Sequence, residues 1–284
     1  MHTEALTKVV VLANKKISFM QKSPFAYLLL AALAGVYIGM GDMLMFSIGG
    51  PLEIAGDHYA TIIMSLSFGG ALCLVIFAGA ELFTGNMMVF SVGRLSKHVG
   101  VKPIINLFGL CYAGNFIGCA FLAWMVTHGG SLPEASQDLI LKVSAMKMSL
   151  PPEELFIRAV MCNWLVCLAV WIAYRTQNEA AKLILIFWCI FAFLGSGFEH
   201  SIANQALLSM ALFLPHGPEV SIAGLFYNQF WVVFGNLVGG GIMVGTVYWF
   251  ASPGTSEDEK INQPKIKQYF QEGSREQNRL AGRV

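Results

Sequence analysis

Charged residues are scarce in this chain. They make up only 12% of the sequence, whereas hydrophobic residues make up 56%, and a typical soluble domain carries about 25% charged residues. Because the apolar residues fall in long runs, this composition excludes a soluble globular domain and predicts an integral membrane protein. The formal net charge of +1 gives no indication of nucleic-acid binding, so the positions of the charges are more informative than their sum.

The sequence also lacks the motifs of common enzyme classes. It has no zinc-protease helix motif, no nucleotide-binding glycine loop, no nucleophile elbow and no clustered haem histidines. Its six cysteines lie inside apolar runs without metal-ligand spacing, which predicts small buried residues rather than disulfides. We therefore expect no enzymatic activity, no cofactor and no metal site. No cleavable signal peptide is visible before the first apolar run.

The sequence does contain six apolar runs, each long enough to cross a bilayer as a helix. Their approximate ranges are 26–49, 60–92, 103–128, 154–174, 181–214 and 222–250. None alternates like a membrane β-strand, so we predict an all-α membrane domain of six transmembrane helices over residues 26–251. Residues 1–25 have apolar side chains at helical spacing among lysines, which predicts an amphipathic helix on the membrane surface. Residues 252–284 are polar and predict a disordered tail.

The basic residues lie mostly on one side of the predicted spans. The N-terminal segment, the loops after the second and fourth runs and the C-terminal segment hold most of the lysines and arginines. The loop between the first and second runs carries Glu53 and Asp57 instead. Since basic residues favour the cytoplasm, we predict that both termini are cytoplasmic.

Polar motifs of the same form interrupt the second and fifth runs. Each begins with glutamate and ends with asparagine after four intervening residues, at Glu81–Asn86 and Glu199–Asn204. The third and sixth runs share a Gly-Asn-x-x-Gly motif that begins at Gly114 and Gly235. The offsets of 118 and 121 residues nearly agree. We interpret this as an inverted repeat with two broken helices, which places a transport site at the repeat interface, and we assign the glycines to close helix packing.

His200 is the only histidine deep inside an apolar run. Ionisable groups at membrane depth are costly and usually functional, although a neutral core histidine is the alternative. As a donor His200 can bind an anion, and as an acid it can supply a proton. Thr84, from the other polar motif, is its expected hydrogen-bond partner. We expect Glu81 and Glu199 to accept backbone hydrogen bonds that support the breaks, together with the two motif asparagines.

Taken together, these stretches resemble the formate/nitrite transporter family. The matching segments are residues 78–86, 162–171, 197–204 and 235–236, and the likeness extends from about Tyr27 to Ala251. The resemblance implies an aquaporin-like six-helix protomer, a homopentamer with one pathway in each protomer, and transport of small monovalent anions. The short connection Leu214–Val220 and the pattern of the first run are most similar to bacterial nitrite channels of the cytoplasmic (inner) membrane. Nitrite is therefore the expected substrate, with formate or hydrosulfide as alternatives.

The resemblance also implies roles for individual residues. Lys147 matches a lysine at the outer mouth, where it would concentrate anions, and a solvated loop charge is the alternative. Asn163 matches a pore-lining asparagine, and Thr84 matches a threonine on a mobile loop beside the histidine. Apolar gates would exclude hydrated ions, although each of these side chains is otherwise ordinary core filling. The implied constrictions are Phe83 with Phe193 on the outer side and Phe68 with Leu72 on the inner side.

Asp42 is unexpected in an anion pathway, because a negative charge there would repel the substrate. We therefore place Asp42 off the pathway, near the outer end of the first span. A pore for neutral solutes is the second alternative function, although the paired Asn-Pro-Ala motif of aquaporins is absent. A purely structural or sensory protein does not explain the paired breaks.

Overall fold

A computed structural model describes residues 3–252, and every regular element in that range is helical. The membrane part and its flanking helices comprise α1 (Thr3–Lys22), α2 (Pro24–Ile54), α3 (Ala60–Phe68), α4 (Ala71–Phe77), α5 (Phe83–Leu95), α6 (Val101–His128), α7 (Glu134–Ser149), α8 (Pro152–Arg175), α9 (Glu179–Gly195), α10 (Ser201–Phe213), α11 (Ile222–Leu237), a π-helical segment (Val238–Thr246) and α12 (Val247–Ala251). Residues 253–284 of the predicted tail lie outside the described residues.

Most of the predicted spans are long, apolar helices. Within residues 3–252, five helical stretches are long and apolar enough to cross a bilayer, namely Pro24–Ile54, Ala60–Phe77, Val101–His128, Pro152–Arg175 and Ile222–Ala251. The predicted fifth span consists instead of two shorter apolar helices, α9 with 17 residues and α10 with 13. The structure thus confirms the all-α architecture with broken second and fifth spans.

The two breaks have the same local geometry. In the second span the helix stops after α4 and resumes at Phe83, and in the fifth it stops after α9 and resumes at Ser201. Gly79 and Gly197 have φ values of +73° and +68°, a left-handed conformation that glycine adopts without a steric penalty. The residue before each restarting helix, Leu82 or His200, is extended. The first break, residues 78–82, therefore lies mostly before the motif that predicted it, and Thr84 already lies in the first turn of α5.

Glycines bring the helices of each half into close contact, as the sequence predicted. A Cβ at Gly118 on α6 would overlap the backbone of Ala32 on α2, and a Cβ at Gly239 would overlap the carbonyl of Val160 on α8. Only small residues allow such a backbone approach. In each half of the repeat, such a contact therefore joins the first span to the third.

The apolar face of α1 contacts the helix bundle, whereas the sequence analysis placed it on the membrane surface. Leu6, Val9, Val10 and Ala13 are almost fully buried, and α1 packs on α5, α2 and α8. Helical spacing of apolar residues predicts a buried face but cannot show whether lipid or protein covers it.

The region that carries Lys147 is a helix rather than a loop. α7 covers Glu134–Ser149, and its side towards the bundle buries Ser136, Ile140 and Ser144 completely. The serines interrupt the apolar pattern, which is why this helix was not predicted. α7 directly precedes α8 just as α1 directly precedes α2. Each half of the repeat therefore consists of a flanking helix, a span, a broken span and a third span.

Candidate functional site

The two breaks meet at a hydrogen bond between Thr84 and His200. Thr84 Oγ1 lies 2.9 Å from His200 Nε2, and the two residues are 0% and 3% exposed. Thr84 comes from the first turn of α5, while His200 is the residue immediately before α10. The structure thus places the two side chains together, from opposite halves of the repeat, in the contact expected from the sequence.

Backbone geometry decides which nitrogen of His200 carries the proton. The amide N–H of Ala203 donates to His200 Nδ1 at 3.1 Å and caps the start of α10. Because an amide can only donate, Nδ1 is unprotonated and the proton of the neutral ring is on Nε2. His200 therefore donates to Thr84 Oγ1. A second proton on the ring would remove the bond that caps α10.

Asn115 on α6 holds the first break. Its Oδ1 accepts from the Phe83 amide at 2.9 Å. Its Nδ2 donates to the carbonyls of Ala31 at 2.7 Å and Glu81 at 2.9 Å. One side chain thus satisfies backbone groups on both sides of the break and on the neighbouring span.

Asn236 holds the second break with the same set of bonds. Its Oδ1 accepts from the Ser201 amide at 2.9 Å. Its Nδ2 donates to the carbonyls of Ala159 at 2.9 Å and Glu199 at 3.0 Å. Sequence reasoning assigned no role to these asparagines, although the repeated Gly-Asn motif was the signal for them.

Glu199 forms a buried ion pair with Lys147 from α7. Lys147 Nζ lies 2.6 Å from Glu199 Oε1, and Asn204 Nδ2 donates to Glu199 Oε2 at 2.6 Å. Glu199 is 1% exposed. The sequence analysis expected this carboxylate to accept backbone hydrogen bonds, and that expectation was wrong. A buried carboxylate needs a cation nearby, because loss of its hydration is costly.

Glu81 has the equivalent partners in the other half. Lys16 from α1 lies 2.5 Å from Glu81 Oε2, which also accepts from Asn86 at 3.2 Å and from the Tyr27 hydroxyl at 3.1 Å. These are again side-chain donors rather than backbone ones. α1 and α7 therefore each supply one lysine to the glutamate of one break, a correspondence that the sequence analysis missed.

Cavities approach the Thr84–His200 contact from two directions. The cavity of about 360 Å³ beside α7, here called the α7 cavity, is bordered by Lys147, Glu199 and His200. The cavity of about 190 Å³ beside α1, here called the α1 cavity, is bordered by Lys16, Glu81 and Gly85. Because one cavity reaches His200 and the other reaches the neighbour of Thr84, the hydrogen bond lies between them.

Two phenylalanine rings lie next to this contact. Phe68 and Phe193 meet edge to face with ring centroids 6.1 Å apart, and Phe193 stacks on His200 at 5.9 Å. Phe193 borders the α7 cavity, whereas Leu72 borders the α1 cavity. The expected constrictions, Phe83 with Phe193 and Phe68 with Leu72, therefore stay predictions.

Phe83 packs against α6. Its ring contacts Phe108 and Tyr112 on α6, at centroid distances of 5.4 and 5.0 Å. The Phe83 amide is bound by Asn115 on the same helix, and this fixes the first residue of α5 against α6. Leu82, the residue before it, borders the α1 cavity instead.

Asn163 lies behind Thr84 rather than on a cavity wall. Its Nδ2 donates to the backbone carbonyls of Thr84 at 3.3 Å and Asn236 at 2.7 Å. It is 0% exposed and borders neither the α7 nor the α1 cavity. The asparagine expected to line the pore therefore links the backbone at the start of α5 to that of α11.

Asp42 borders the α7 cavity, contrary to the expectation that it lies off the pathway. It is 2% exposed, and its Oδ2 is buried without a hydrogen-bond partner. The α2 helix continues past Asp42 to Ile54, so the carboxyl lies within the span rather than at its end.

The known proteins that this chain resembles are formate and nitrite transporters and channels. The family model described as "Formate/nitrite transporter" matches residues 3–250. The nitrite transporter NirC of Escherichia coli (strain K12) is 35% identical over 272 residues, which cover 95% of this chain and 98% of NirC. A solved structure titled "FNT family ion channel" superposes with a TM-score of 0.84 at 35% identity, over 88% of this chain and 100% of that one. A second, "Pentameric formate channel with formate bound", gives a TM-score of 0.71 at 25% identity, over 81% and 98%.

Proposed function

This chain belongs to the formate/nitrite transporter family, and on that premise we propose that it conducts small monovalent anions across a membrane, with nitrite as the preferred substrate. The observation that carries the proposal is the Thr84–His200 hydrogen bond between two cavities that each contain a lysine–glutamate pair. This arrangement places polar donors at the point where the pathway is otherwise apolar.

The lysines address the first difficulty of anion transport. A bare anion is strongly disfavoured in a low-dielectric environment. Lys147 borders the α7 cavity and Lys16 borders the α1 cavity, so an anion meets a positive charge on either side of the central contact. Their glutamate partners keep each site close to neutral, which lets the anion leave again.

We infer that His200 acts as a hydrogen-bond donor to Thr84, whose hydroxyl in turn contacts the anion, rather than as a source of protons. The Nε2 proton is donated to Thr84 Oγ1, and no acceptor for the threonine hydroxyl's own proton lies among residues 3–252. That hydroxyl is therefore available to an anion at the junction of the breaks. The donor bond from His200 polarises the hydroxyl and strengthens this interaction.

Apolar side chains next to this contact support selection of the anion by size and hydration. Phe193, which contacts Phe68, borders the α7 cavity, and Leu72, Leu82 and Val170 border the α1 cavity. We propose that an anion sheds water between them, which favours small, weakly hydrated species.

The substrate preference rests on the relatives. The nitrite transporter NirC matches more of this chain, and at higher identity, than the formate channel does. Formate is the second candidate because the pentameric channel with formate bound has the same fold, and hydrosulfide is a further alternative of similar size and charge.

We further propose a homopentamer in a bacterial inner membrane, with the α1 side facing the cytoplasm. One structural neighbour is described as a pentameric channel, which supports this assembly. Native mass measurement in detergent tests it. Arg94 and Arg175, in the last turns of α5 and α8, and Lys97, just after α5, lie on the α1 side, and basic residues favour the cytoplasm. In this arrangement residues 1–25 are a cytoplasmic helix, 26–251 form the channel and 252–284 are a cytoplasmic tail.

A liposome assay tests the proposed function. Purified protein is reconstituted, and current and internal pH are followed after addition of nitrite, formate, hydrosulfide or ammonium. The expected result is the largest signal with nitrite and none with ammonium. The absence of a signal with every anion contradicts the proposal, and a signal with ammonium alone identifies a neutral-solute pore. A larger signal with formate corrects the substrate.

The role of His200 is tested with His200→Asn and the matched control His216→Asn in an exposed loop. Loss of a hydrogen bond that serves a charged ligand is worth about 1.5–3 kcal/mol. We therefore expect H200N to lower nitrite flux by roughly ten- to a hundredfold, and H216N to leave it unchanged. Equal flux in the two variants shows that His200 has no part in transport.

A further inference from the structure

Asp42 is a buried carboxyl that the proposed pathway does not explain. It borders the same cavity as Lys147 and His200 and is 2% exposed. Among residues 3–252 it has no hydrogen-bond or ion-pair partner, and its Oδ2 is fully enclosed. A buried polar group without a partner is uncommon in folded proteins and calls for a physical reason.

The cations around Asp42 are already committed to other carboxylates. The charged and titratable groups that border the cavity are Glu53 of α2, Lys142 and Lys147 of α7, Arg158 of α8, and Glu199 and His200 at the break. Lys147 pairs with Glu199 at 2.6 Å, Lys142 with Glu53 at 2.6 Å, and Arg158 with Glu154 at 2.7 Å. Cys119 of α6 is close enough to Asp42 to interact with it electrostatically. Asp42 therefore has no cation of its own.

Such a carboxyl can exist in two forms with opposite effects on an anion. The protonated form is neutral and has one O–H donor, whereas the ionised form only accepts hydrogen bonds. An isolated ionised carboxylate is costly to bury, and the usual outcome is neutralisation. The charge of Lys147 favours the ionised form, although Lys147 is already paired with Glu199. The balance between the two forms is therefore sensitive to pH.

We propose, on the premise that the chain transports small anions, that Asp42 is the protonation-controlled selectivity residue of the α7 cavity. As a carboxylic acid it donates a hydrogen bond to the entering anion. As a carboxylate it repels the anion and closes this cavity to it. His200 cannot fill this role, because its Nδ1 is bound by the Ala203 amide and its Nε2 proton by Thr84.

The first test compares wild type with Asp42→Asn across mildly acidic to mildly alkaline pH in the liposome assay. Asparagine keeps the shape and a donor but cannot ionise. Once Asp42 ionises in the wild type, the ratio of D42N flux to wild-type flux rises by up to about tenfold per pH unit, as expected for one titrating group. Asp57→Asn is the matched control. Its carboxylate lies in the exposed α2–α3 loop, where it accepts only from the Tyr59 amide at 2.8 Å, and its flux ratio stays flat.

A second variant separates charge from hydrogen bonding. Asp42→Leu is neutral but has no donor. It should lose the same pH step as D42N while raising the KM for nitrite by about tenfold or more, the value of a hydrogen bond to a charged ligand. If Asp42 is only a structural residue, the two variants change flux without changing its pH dependence, and the proposal is wrong.

Infrared spectroscopy provides a readout that does not depend on transport. The wild type is expected to show the carbonyl stretching band of a protonated carboxylic acid. This band should be absent in D42N and should shift when nitrite is added. If D42N fails to assemble, the wild-type spectrum still decides, and the absence of a nitrite-sensitive acid band overturns the proposal. Wild-type liposomes without any anion flux refute the anion-transport function instead, whereas a normal flux with a flat D42N ratio refutes only the role of Asp42.

Discussion

Replacement of Asn236 with alanine removes the side chain that holds the break next to His200. Asn236 is 0% exposed and bonds the carbonyls of Ala159 and Glu199 and the amide of Ser201 at 2.9 to 3.0 Å. In N236A these three backbone groups lose their partner inside the membrane domain, where no water replaces it. The break should then move away from α8 and carry His200 with it.

The expected cost follows from the number of bonds. A side-chain hydrogen bond within a membrane protein contributes about 0.6 kcal/mol on average and up to about 1.7 kcal/mol. Losing three of them should lower the free energy of unfolding by about 2 to 5 kcal/mol. The matched control is Asn178→Ala, because Asn178 makes a single capping bond of 2.9 Å to the Ala181 amide at the exposed start of α9. Loss of such a cap costs about 1 kcal/mol.

The assay combines denaturation in detergent with nitrite flux in liposomes. We expect the N236A denaturation midpoint to fall clearly below that of N178A, and N236A alone to lose flux. Equal midpoints with equal flux would refute the assignment of Asn236 as the support of the break. Asn115→Ala, which loses the equivalent three bonds in the other half, should match N236A in stability.

Further predictions concern the ion pairs and the helix contacts. Lys147→Met leaves Glu199 buried without a cation, so it should destabilise the protein by about 3–5 kcal/mol in denaturation experiments. Lys142→Met breaks an exposed pair and should cost less than about 1 kcal/mol, so equal losses would contradict the importance of burial. Gly239→Ala forces a Cβ into the backbone of a neighbouring span and should cost about 1–3 kcal/mol. A Cβ at Gly109 would meet nothing within 4 Å, so Gly109→Ala should be neutral or stabilising by up to about 1 kcal/mol. Destabilisation by both glycine substitutions would show that the close backbone contact of Gly239 is not the cause.

The repeat was readable from the sequence because transmembrane spans are long and their interruptions are polar. The two Glu-to-Asn motifs and the Gly-Asn motifs appear at nearly constant offset. In the structure Asn115 and Asn236 make equivalent bonds, and each motif glutamate binds a lysine and the asparagine of its own motif. The proximity of Thr84 and His200 followed from that symmetry. What the motif could not show is that asparagines on the third spans, rather than the glutamates, hold the backbone of the breaks.

The lysine partners of the glutamates could not be predicted. Lys16 and Glu81 are 65 residues apart, and Lys147 and Glu199 are 52 apart. No local pattern links residues at such separations, and only the docking of α1 and α7 on the bundle brings them together. The contacts of Phe83 with Phe108 and Tyr112 on α6 likewise join residues distant along the chain, so no local pattern indicated them.

The sequence by itself determined the membrane class, the helical spans, the two breaks and the residue types placed at them. These properties follow from hydrophobic run length and from local polarity, which are one-dimensional features. The tertiary structure decided which side chains neutralise the buried glutamates, which rings meet beside His200, and that Asp42 faces a cavity. These contacts depend on packing between spans distant along the chain, where desolvation makes each unpaired charge costly enough to select its partner.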